Sequence, residues 1–136
     1  MACLDTSFLL DVAGRGGRQL KARARAKLAA LVEQGDVLTT TRFTVAELWI
    51  GVERSKDRQS ELAAVEAMLE PLSILEFDES SARVFGRLTA HLQSLGTPCG
   101  DLDVLIASVV LVHGDWLVTQ NVKHFAGMPE LAVETY

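Results

Sequence analysis

Four acidic residues are the side chains of this sequence with the most obvious capacity for chemistry. Asp101 and Asp103 stand in the stretch CGDLDVLIAS, beside an apolar run. Asp5 follows a short apolar segment near the start of the chain, and Glu47 lies in the stretch AELW. Each has an ordinary explanation, because aspartates often cap helices and helical glutamates are often exposed. A chemical role therefore depends on whether the four carboxylates meet.

Converging carboxylates would raise one another's pKa values unless a cation compensated their charge. Oxygen ligands select a hard ion such as Mg²⁺ or Mn²⁺, which can activate a water and stabilise a leaving oxygen. A zinc site is not indicated, because Cys3 and Cys99 form no CxxC pair and no histidine stands at zinc-ligand spacing. We interpret both cysteines as reduced thiols and the three histidines as ordinary surface or boundary residues. The chemistry suggested is hydrolysis of a phosphodiester bond.

Hydrophobic periodicity predicts strands that alternate with helices along the whole chain. This alternation is typical of an α/β sandwich around a mostly parallel sheet, and the length of 136 residues indicates one domain, residues 1–136. Sites in such sheets form at the carboxyl ends of strands, where Asp5 and Asn121 are expected. Strands are predicted at 2–5, 37–40, 73–77, 116–119 and 132–134, and helices from residue 8 and at 18–34, 43–54, 58–69, 79–95, 104–113 and 121–126.

Charge is unevenly distributed. The net charge of −5 disfavours a protein that binds nucleic acid by bulk positive charge. Residues 15–27 nevertheless hold six of the thirteen basic residues and no acid. This strip is either a solvated helix face or a surface that meets a phosphate backbone or an acidic partner. The absence of a signal-peptide pattern and of a long apolar run predicts a cytoplasmic protein with no membrane partner.

Four stretches in order along the chain give the sequence a resemblance to a known family. It resembles the PIN-domain ribonucleases, and more narrowly the VapC-type toxins of type II toxin–antitoxin systems. The resemblance implies a PIN-like α/β/α sandwich, with a central, mostly parallel sheet of 4–5 short strands flanked by helices. The matching stretches are LDTSFLLD at 4–11, TVAELWIGV at 44–52, GDLDVLIASVVLVHG at 100–114 and LVTQNVKHF at 117–125.

The resemblance also implies roles for individual residues. Asp5, Glu47 and Asp103 match the catalytic, metal-binding acids of the family, and Asp101 matches an additional acid that some members carry. Asp101 could be a further metal ligand or a helix cap. Many PIN domains have aspartate at the position of Asn121, so the choice between one and two metal ions stays open. Hydroxyl and amide groups around the metal site are expected from Thr6, Ser7, Thr119 and Asn121.

The function implied by the resemblance is that of a Mg²⁺- or Mn²⁺-dependent endoribonuclease and toxin. Its expected partners are an RNA substrate, a VapB-like antitoxin whose C-terminal segment covers the active site, and a second copy of the chain in a homodimer. The basic strip would then contact the RNA backbone beside the acidic site, which reconciles the negative net charge with a polyanionic substrate. The strip residues expected to bind RNA are Arg15, Arg18, Lys21 and Arg25.

Two alternatives belong to other functional classes. A catalytically inactive PIN-like domain would serve as a binding module, and only an assay separates it from an enzyme. A Mg²⁺-binding receiver domain of phosphotransfer systems is also a small α/β protein with an acidic pocket. It would require a phospho-acceptor aspartate after a mid-chain strand, where this sequence has Thr39 and Thr40.

Overall fold

Five short strands form a sheet at the centre of the fold. The computed structural model describes residues 1–97 and 100–136. The strand order is β3-β2-β1-β4-β5, and every neighbouring pair is parallel. This confirms the predicted sheet and places β1 and β4, which come from opposite ends of the chain, side by side. The strands are β1 (Ala2–Leu4), β2 (Leu38–Thr41), β3 (Ser73–Leu75), β4 (Trp116–Val118) and β5 (Val133–Glu134).

Helices connect these strands, and aspartate or threonine side chains cap several of them. Asp5, Thr41, Asp57 and Asp78 each accept a hydrogen bond from a backbone N–H of the first turn that follows, which satisfies a donor that the helix leaves unpaired. The helices are α1 (Thr6–Val12), α2 (Arg18–Glu33), α3 (Arg42–Arg54), α4 (Arg58–Leu69), α5 (Glu79–Ser94), α6 (Asp101–His113) and α7 (Val122–Phe125).

The two faces of the sheet are covered by different helices. Side chains alternate along β1, so Ala2 and Leu4 join one apolar cluster and Cys3 joins the other. Helices α1 to α4 cover the first face, and α5 and α6 cover the second. The result is the three-layer α/β/α sandwich that the resemblance implied.

Helix α6 begins earlier than its apolar run predicted. It starts at Asp101 rather than at residue 104, its N-cap is Gly100, and no side chain caps it. The alternative in which Asp101 caps this helix is therefore wrong. Both aspartates lie inside the first turn, where negative charge interacts favourably with the helix N-terminus but does not replace the capping residue.

One strand is also shorter than predicted. Strand β3 ends at Leu75, two residues before the predicted end, because Leu75 pairs with Thr41, the last residue of the neighbouring strand β2. The exposed Phe77 packs edge-on against Phe43.

The thiol of Cys3 is free and buried in the sheet, and burial raises its pKa to about 12. A buried thiol with so high a pKa is an unreactive packing group, as expected for a reduced cysteine. Cys99 lies outside the described residues. Within residues 1–97 and 100–136, no helix has both the length and the hydropathy needed to span a lipid bilayer.

Candidate active site

Asp5 lies at the carboxyl end of the central strand β1. Its N–H donates to the carbonyl of Val118 in β4, and its side chain caps α1 by accepting a hydrogen bond from the N–H of Phe8 at 3.0 Å. Only 5% of Asp5 is exposed. The strand order changes direction at β1, which is the point where open parallel sheets form their sites. The fold therefore places the buried Asp5 carboxylate at the edge of the sheet where such sites form.

Two hydroxyls hold the Asp5 carboxylate from either side. Thr119, the residue after β4, donates to Oδ2, and Ser7 donates to Oδ1 at 2.7 Å. The two hydroxyl oxygens are 3.3 Å from each other. The N–H of Asn121 donates to the Thr119 hydroxyl, while the Asn121 side chain is exposed and caps no helix. Thr119 and Ser7 thus contact Asp5 as expected, whereas Asn121 does so only indirectly through its backbone.

Glu47 reaches the site from α3. Its Oε1 accepts a hydrogen bond from the hydroxyl of Thr6 at 2.6 Å, which joins α3 to the first turn of α1. The residue is half-buried. Since Thr6 directly follows Asp5, this bond brings a second carboxylate beside the first.

Asp103 approaches from the first turn of α6. Its Oδ2 is 3.1 Å from Nδ1 of His124, and its side chain is 27% exposed. Asp101 is also in the first turn but is exposed. The contact with His124 was not predicted, because the histidines were interpreted as ordinary surface or boundary residues. The sequence signal for it was the position of His124 shortly after the predicted strand at 116–119.

The charges of Asp5 and Asp103 both act on Glu47. Burial raises the pKa of Glu47, and the charges of Asp5 and Asp103 raise it further, against the hydrogen bond from Thr6. Burial also raises the pKa of Asp5, although its hydrogen bonds from Thr119, Phe8 and Ser7 oppose that rise. Like charges that raise a neighbour's pKa create a place where a cation binds favourably.

The donor chemistry fits a hard divalent cation, but the acids do not form a closed ligand cage. Among residues 1–97 and 100–136, no three histidine, cysteine, aspartate or glutamate side chains lie close enough together to bind one metal ion directly. Mg²⁺ does not require such a cage, since it keeps several waters and commonly takes only one or two carboxylates directly. A site in which Asp5 binds directly and Glu47 or Asp103 binds through water is consistent with this arrangement.

Two cavities lie beside the acids. One, of about 430 Å³, has Asp103, Lys123 and His124 in its wall. The other, of about 300 Å³, contains Thr6 and Glu47 at its polar end, and its remaining wall is mostly apolar. Asp103 thus borders one recess and Glu47 borders the other, and each recess is large enough for part of an extended ligand.

The predicted RNA-binding residues are only partly available for a ligand. Arg15 forms an ion pair with Glu61 at the edge of the smaller cavity. Arg25 donates through Nε to the carbonyl of Val12 at 3.1 Å. Arg18 is exposed, and Lys21 is partly exposed with its chain against Gly14. The strip is thus in part a set of structural contacts that hold α2 in place.

The sequence of the chain matches the PIN domain family over residues 2–130. The chain belongs to the PIN domain family. This membership rules out the receiver-domain alternative and agrees with the order of the five strands.

Curated relatives of this PIN domain carry names that describe nucleases. It is 34% identical over 131 residues to Ribonuclease VapC19 of Mycobacterium tuberculosis, a match that covers 96% of this chain and 97% of that protein. It is 33% identical over 94 residues to the tRNA(fMet)-specific endonuclease VapC of Salmonella typhimurium, with 69% and 71% of the two chains covered.

Solved structures extend the similarity to the whole fold. A chain from the VapBC2 complex of Rickettsia felis, bound to a DNA fragment from the promoter, has a TM-score of 0.88 and 25% identity, and the match covers 99% of this chain and 98% of that one. A chain from the DNA-bound VapBC of Salmonella typhimurium has a TM-score of 0.83 and 26% identity, with 98% and 96% covered.

Proposed function

We propose that this PIN domain is an endoribonuclease that depends on Mg²⁺ or Mn²⁺, and that it is the toxin of a toxin–antitoxin pair neutralised by a VapB-like antitoxin. All 136 residues act as one domain, in the cytoplasm. The relatives named as VapC ribonucleases and the structural neighbours solved as VapBC complexes support the function and the partner. The catalytic residues proposed are Asp5, Glu47 and Asp103.

The observation that carries the proposal is the environment of Asp5. A carboxylate that is almost fully buried has an unfavourable solvation energy unless its charge is used or neutralised. The pKa of Asp5 is raised by burial, and the neighbouring Glu47 has its own pKa raised by Asp5 and Asp103. A stable fold gains nothing from three carboxylates at one sheet edge, so their juxtaposition indicates a functional site.

A divalent ion bound at this site would lower the pKa of a water and stabilise the oxygen that leaves when a phosphodiester bond is cleaved. Asp5 would hold the ion, and the hydroxyls of Ser7 and Thr119 would keep both of its carboxylate oxygens oriented. Glu47, held by Thr6, and Asp103, in contact with His124, would bind the ion or its waters from the two sides. Partners that fix the ligands in this way commonly set metal affinity.

Asp101 is not proposed as a principal ligand. It is exposed in the first turn of α6, and its charge at the helix N-terminus is accounted for by the helix dipole. With Asn121 also exposed, the chain offers three acids to the site, which favours one tightly bound ion over two.

The RNA backbone is proposed to pass over the acidic site toward the exposed part of the basic strip. Arg18 and Lys21 are proposed to contact it there, with Lys123 at the larger cavity on the other side of the site. Contacts of this kind to phosphates position a substrate without reading its sequence. Trp49 and Ile50 expose apolar surface on α3, which supports the expected homodimer.

The experiment is a cleavage assay with purified protein free of antitoxin. A panel of RNAs that includes tRNA is incubated with Mg²⁺, with Mn²⁺, and with excess chelator. We expect cleavage with either ion and none in chelator, and we expect addition of the cognate VapB-like protein to suppress it. Protein that binds Mn²⁺ but cleaves no RNA in the panel would instead support the inactive binding module.

A further inference from the structure

Tyr136, two residues beyond β5, makes two specific contacts with helix α1. Its hydroxyl donates to Oδ2 of Asp11 at 2.7 Å. Its ring packs edge-on against Phe8, with 4.9 Å between the ring centroids and 79° between the ring planes. Both partners belong to the helix that Asp5 caps, and neither contact was predicted from the sequence.

Asp11 is an unusual partner because only 6% of it is exposed. Its other carboxylate oxygen lies so close to Gly16 that a Cβ there would be 2.0 Å away. A buried carboxylate needs a hydrogen-bond donor, and the Tyr136 hydroxyl supplies one. The bond is therefore expected to hold α1 and the segment after β5 in a fixed relation.

Strand β5, which directly precedes this segment, is connected to the other side of the Asp5 carboxylate. The N–H of Thr119 donates to the carbonyl of Glu134 at 3.0 Å, and the Thr119 hydroxyl donates to Asp5. Ser7 lies one helical turn before Asp11. Burial and Asp11 raise the pKa of Tyr136 above its usual range, and a hydrogen bond with the Ser7 hydroxyl opposes this rise. The C-terminal residues 134–136 are thus connected to Asp5 by two routes. Glu134 contacts Thr119, which donates to Asp5, and Tyr136 contacts α1, which Asp5 caps.

We propose that Tyr136 is a positioning residue for the metal site. Its hydroxyl, bound to Asp11, fixes the first two turns of α1 so that Ser7 and the Phe8 N–H hold the Asp5 carboxylate in the orientation that binds the ion. This role rests on the proposed metal site but not on the identity of the substrate. It assigns a function in the site to a residue 131 positions away from Asp5 along the chain.

The test compares Tyr136→Phe, which keeps the ring on Phe8 and removes only the hydroxyl, with the wild-type chain. We expect Mn²⁺ binding, measured by calorimetry, to weaken about tenfold, at the lower end of the effect seen for residues that orient metal ligands. Amide hydrogen exchange at Phe8 should become faster, because its N–H donates to Asp5. In RNA cleavage, kcat should fall while KM is unchanged.

Two sets of controls separate positioning from a general loss of stability. Leu31→Val removes a methylene from the buried end of α2 and lowers Tm, but it should leave Mn²⁺ affinity and Phe8 exchange unchanged. Asp11→Asn keeps an oxygen acceptor and should bind Mn²⁺ nearly as the wild type does. Asp11→Leu should reproduce Tyr136→Phe, and the two changes together should not add.

The proposal is overturned if Tyr136→Phe binds Mn²⁺ as tightly as Leu31→Val does, or if Phe8 exchange rises only in proportion to the loss of global stability. A wild-type chain that binds no Mn²⁺ would overturn both this role and the proposed metal site. If the wild type binds Mn²⁺ but cleaves no RNA, only the proposed activity fails, and the two binding measurements still decide the role of Tyr136.

Discussion

The hydroxyl of Thr6 donates a hydrogen bond of 2.6 Å to the carboxylate of Glu47, 41 residues later in the chain. This bond joins the first turn of α1 to the middle of α3. Because Thr6 directly follows Asp5, this bond holds Glu47 near Asp5 although the two carboxylates repel each other. Hydrogen bonds thus hold two negatively charged groups near each other, which is expected where a bound cation compensates their charge.

Glu47→Gln should stabilise the metal-free protein while it reduces cleavage. Glutamine keeps an oxygen that accepts from Thr6, but it removes the charge whose pKa is raised by burial and by Asp5 and Asp103. At pH 7 in chelator, we expect a higher Tm for the variant than for the wild type. With Mn²⁺ present, the order should reverse because the wild type binds the ion more tightly.

The stability difference should depend on pH with a definite sign. A raised pKa means that folded Glu47 binds its proton more tightly than the unfolded chain does, so protonation stabilises the fold as the pH falls below the raised value. The gap between wild type and Glu47→Gln in chelator should therefore be largest at neutral pH and shrink toward the ordinary glutamate pKa of about 4.3. A gap that widens on acidification would show that Glu47 is not destabilised by its neighbours.

Asp103→Asn and Asp101→Asn should have very different effects on cleavage. Asp103 is partly buried beside the site and raises the pKa of Glu47, whereas Asp101 is exposed. We expect the Asp103 variant to lose about 100-fold or more in kcat/KM, in the range for groups that act on developing charge. The Asp101 variant should stay within about threefold, as is usual for exposed charges. The reverse pattern would mean that the two aspartates have been assigned the wrong way round.

His124→Ala should weaken metal binding without unfolding the protein. Nδ1 of His124 is 3.1 Å from Oδ2 of Asp103, so the substitution removes one of the contacts that orient this carboxylate. Both side chains are partly exposed, so we expect an effect of about three- to tenfold on Mn²⁺ affinity, less than for a buried orienting partner. His91→Ala, an exposed histidine on α5, is the matched control and should bind Mn²⁺ as the wild type does.

Arg18→Glu should raise KM for RNA with little change in kcat. Arg18 is exposed at the start of α2, where it is proposed to contact a phosphate. Losing one such contact should reduce the salt dependence of log KM by about 0.7 for single-stranded RNA. Arg83→Glu on α5, which lies on the opposite face of the sheet, is the control. Equal effects of the two variants would indicate that only net charge matters.

Much of the fold could be predicted from the sequence because the patterns that indicate strands and helices are local. Apolar runs alternate with helical periodicity, and the parallel sheet with helices on both faces followed from that alternation. Asp5 and Glu47 were found because acids beside apolar segments are conspicuous, and the resemblance supplied their grouping. Their hydrogen bonds to Thr119 and Thr6 agree with the expected positions of those hydroxyls.

The remaining features depend on tertiary contacts that no local pattern encodes. Tyr136 contacts Asp11, which lies 125 residues earlier in the chain, and His124 of α7 contacts Asp103 of α6. The start of α6 was missed because its first turn is polar and Gly100, rather than an aspartate, is its N-cap. Arg15 and Arg25 were expected to bind RNA, but each contacts a helix of the protein: Arg15 pairs with Glu61 of α4, and Arg25 donates to the carbonyl of Val12 in α1.

The most direct test of the proposed active site compares Asp5→Asn with Asp78→Asn in the cleavage assay with Mn²⁺. Both aspartates cap a helix and accept a hydrogen bond from the backbone N–H three residues later, at 3.0 Å from Phe8 and 2.9 Å from Ser81. They differ in charge environment, because the pKa of Asp5 is raised by burial and that of Asp78 is lowered by its hydrogen bonds. We predict that Asp5→Asn remains folded but loses cleavage, while Asp78→Asn cleaves as the wild type does. Unchanged cleavage by folded Asp5→Asn would contradict the account.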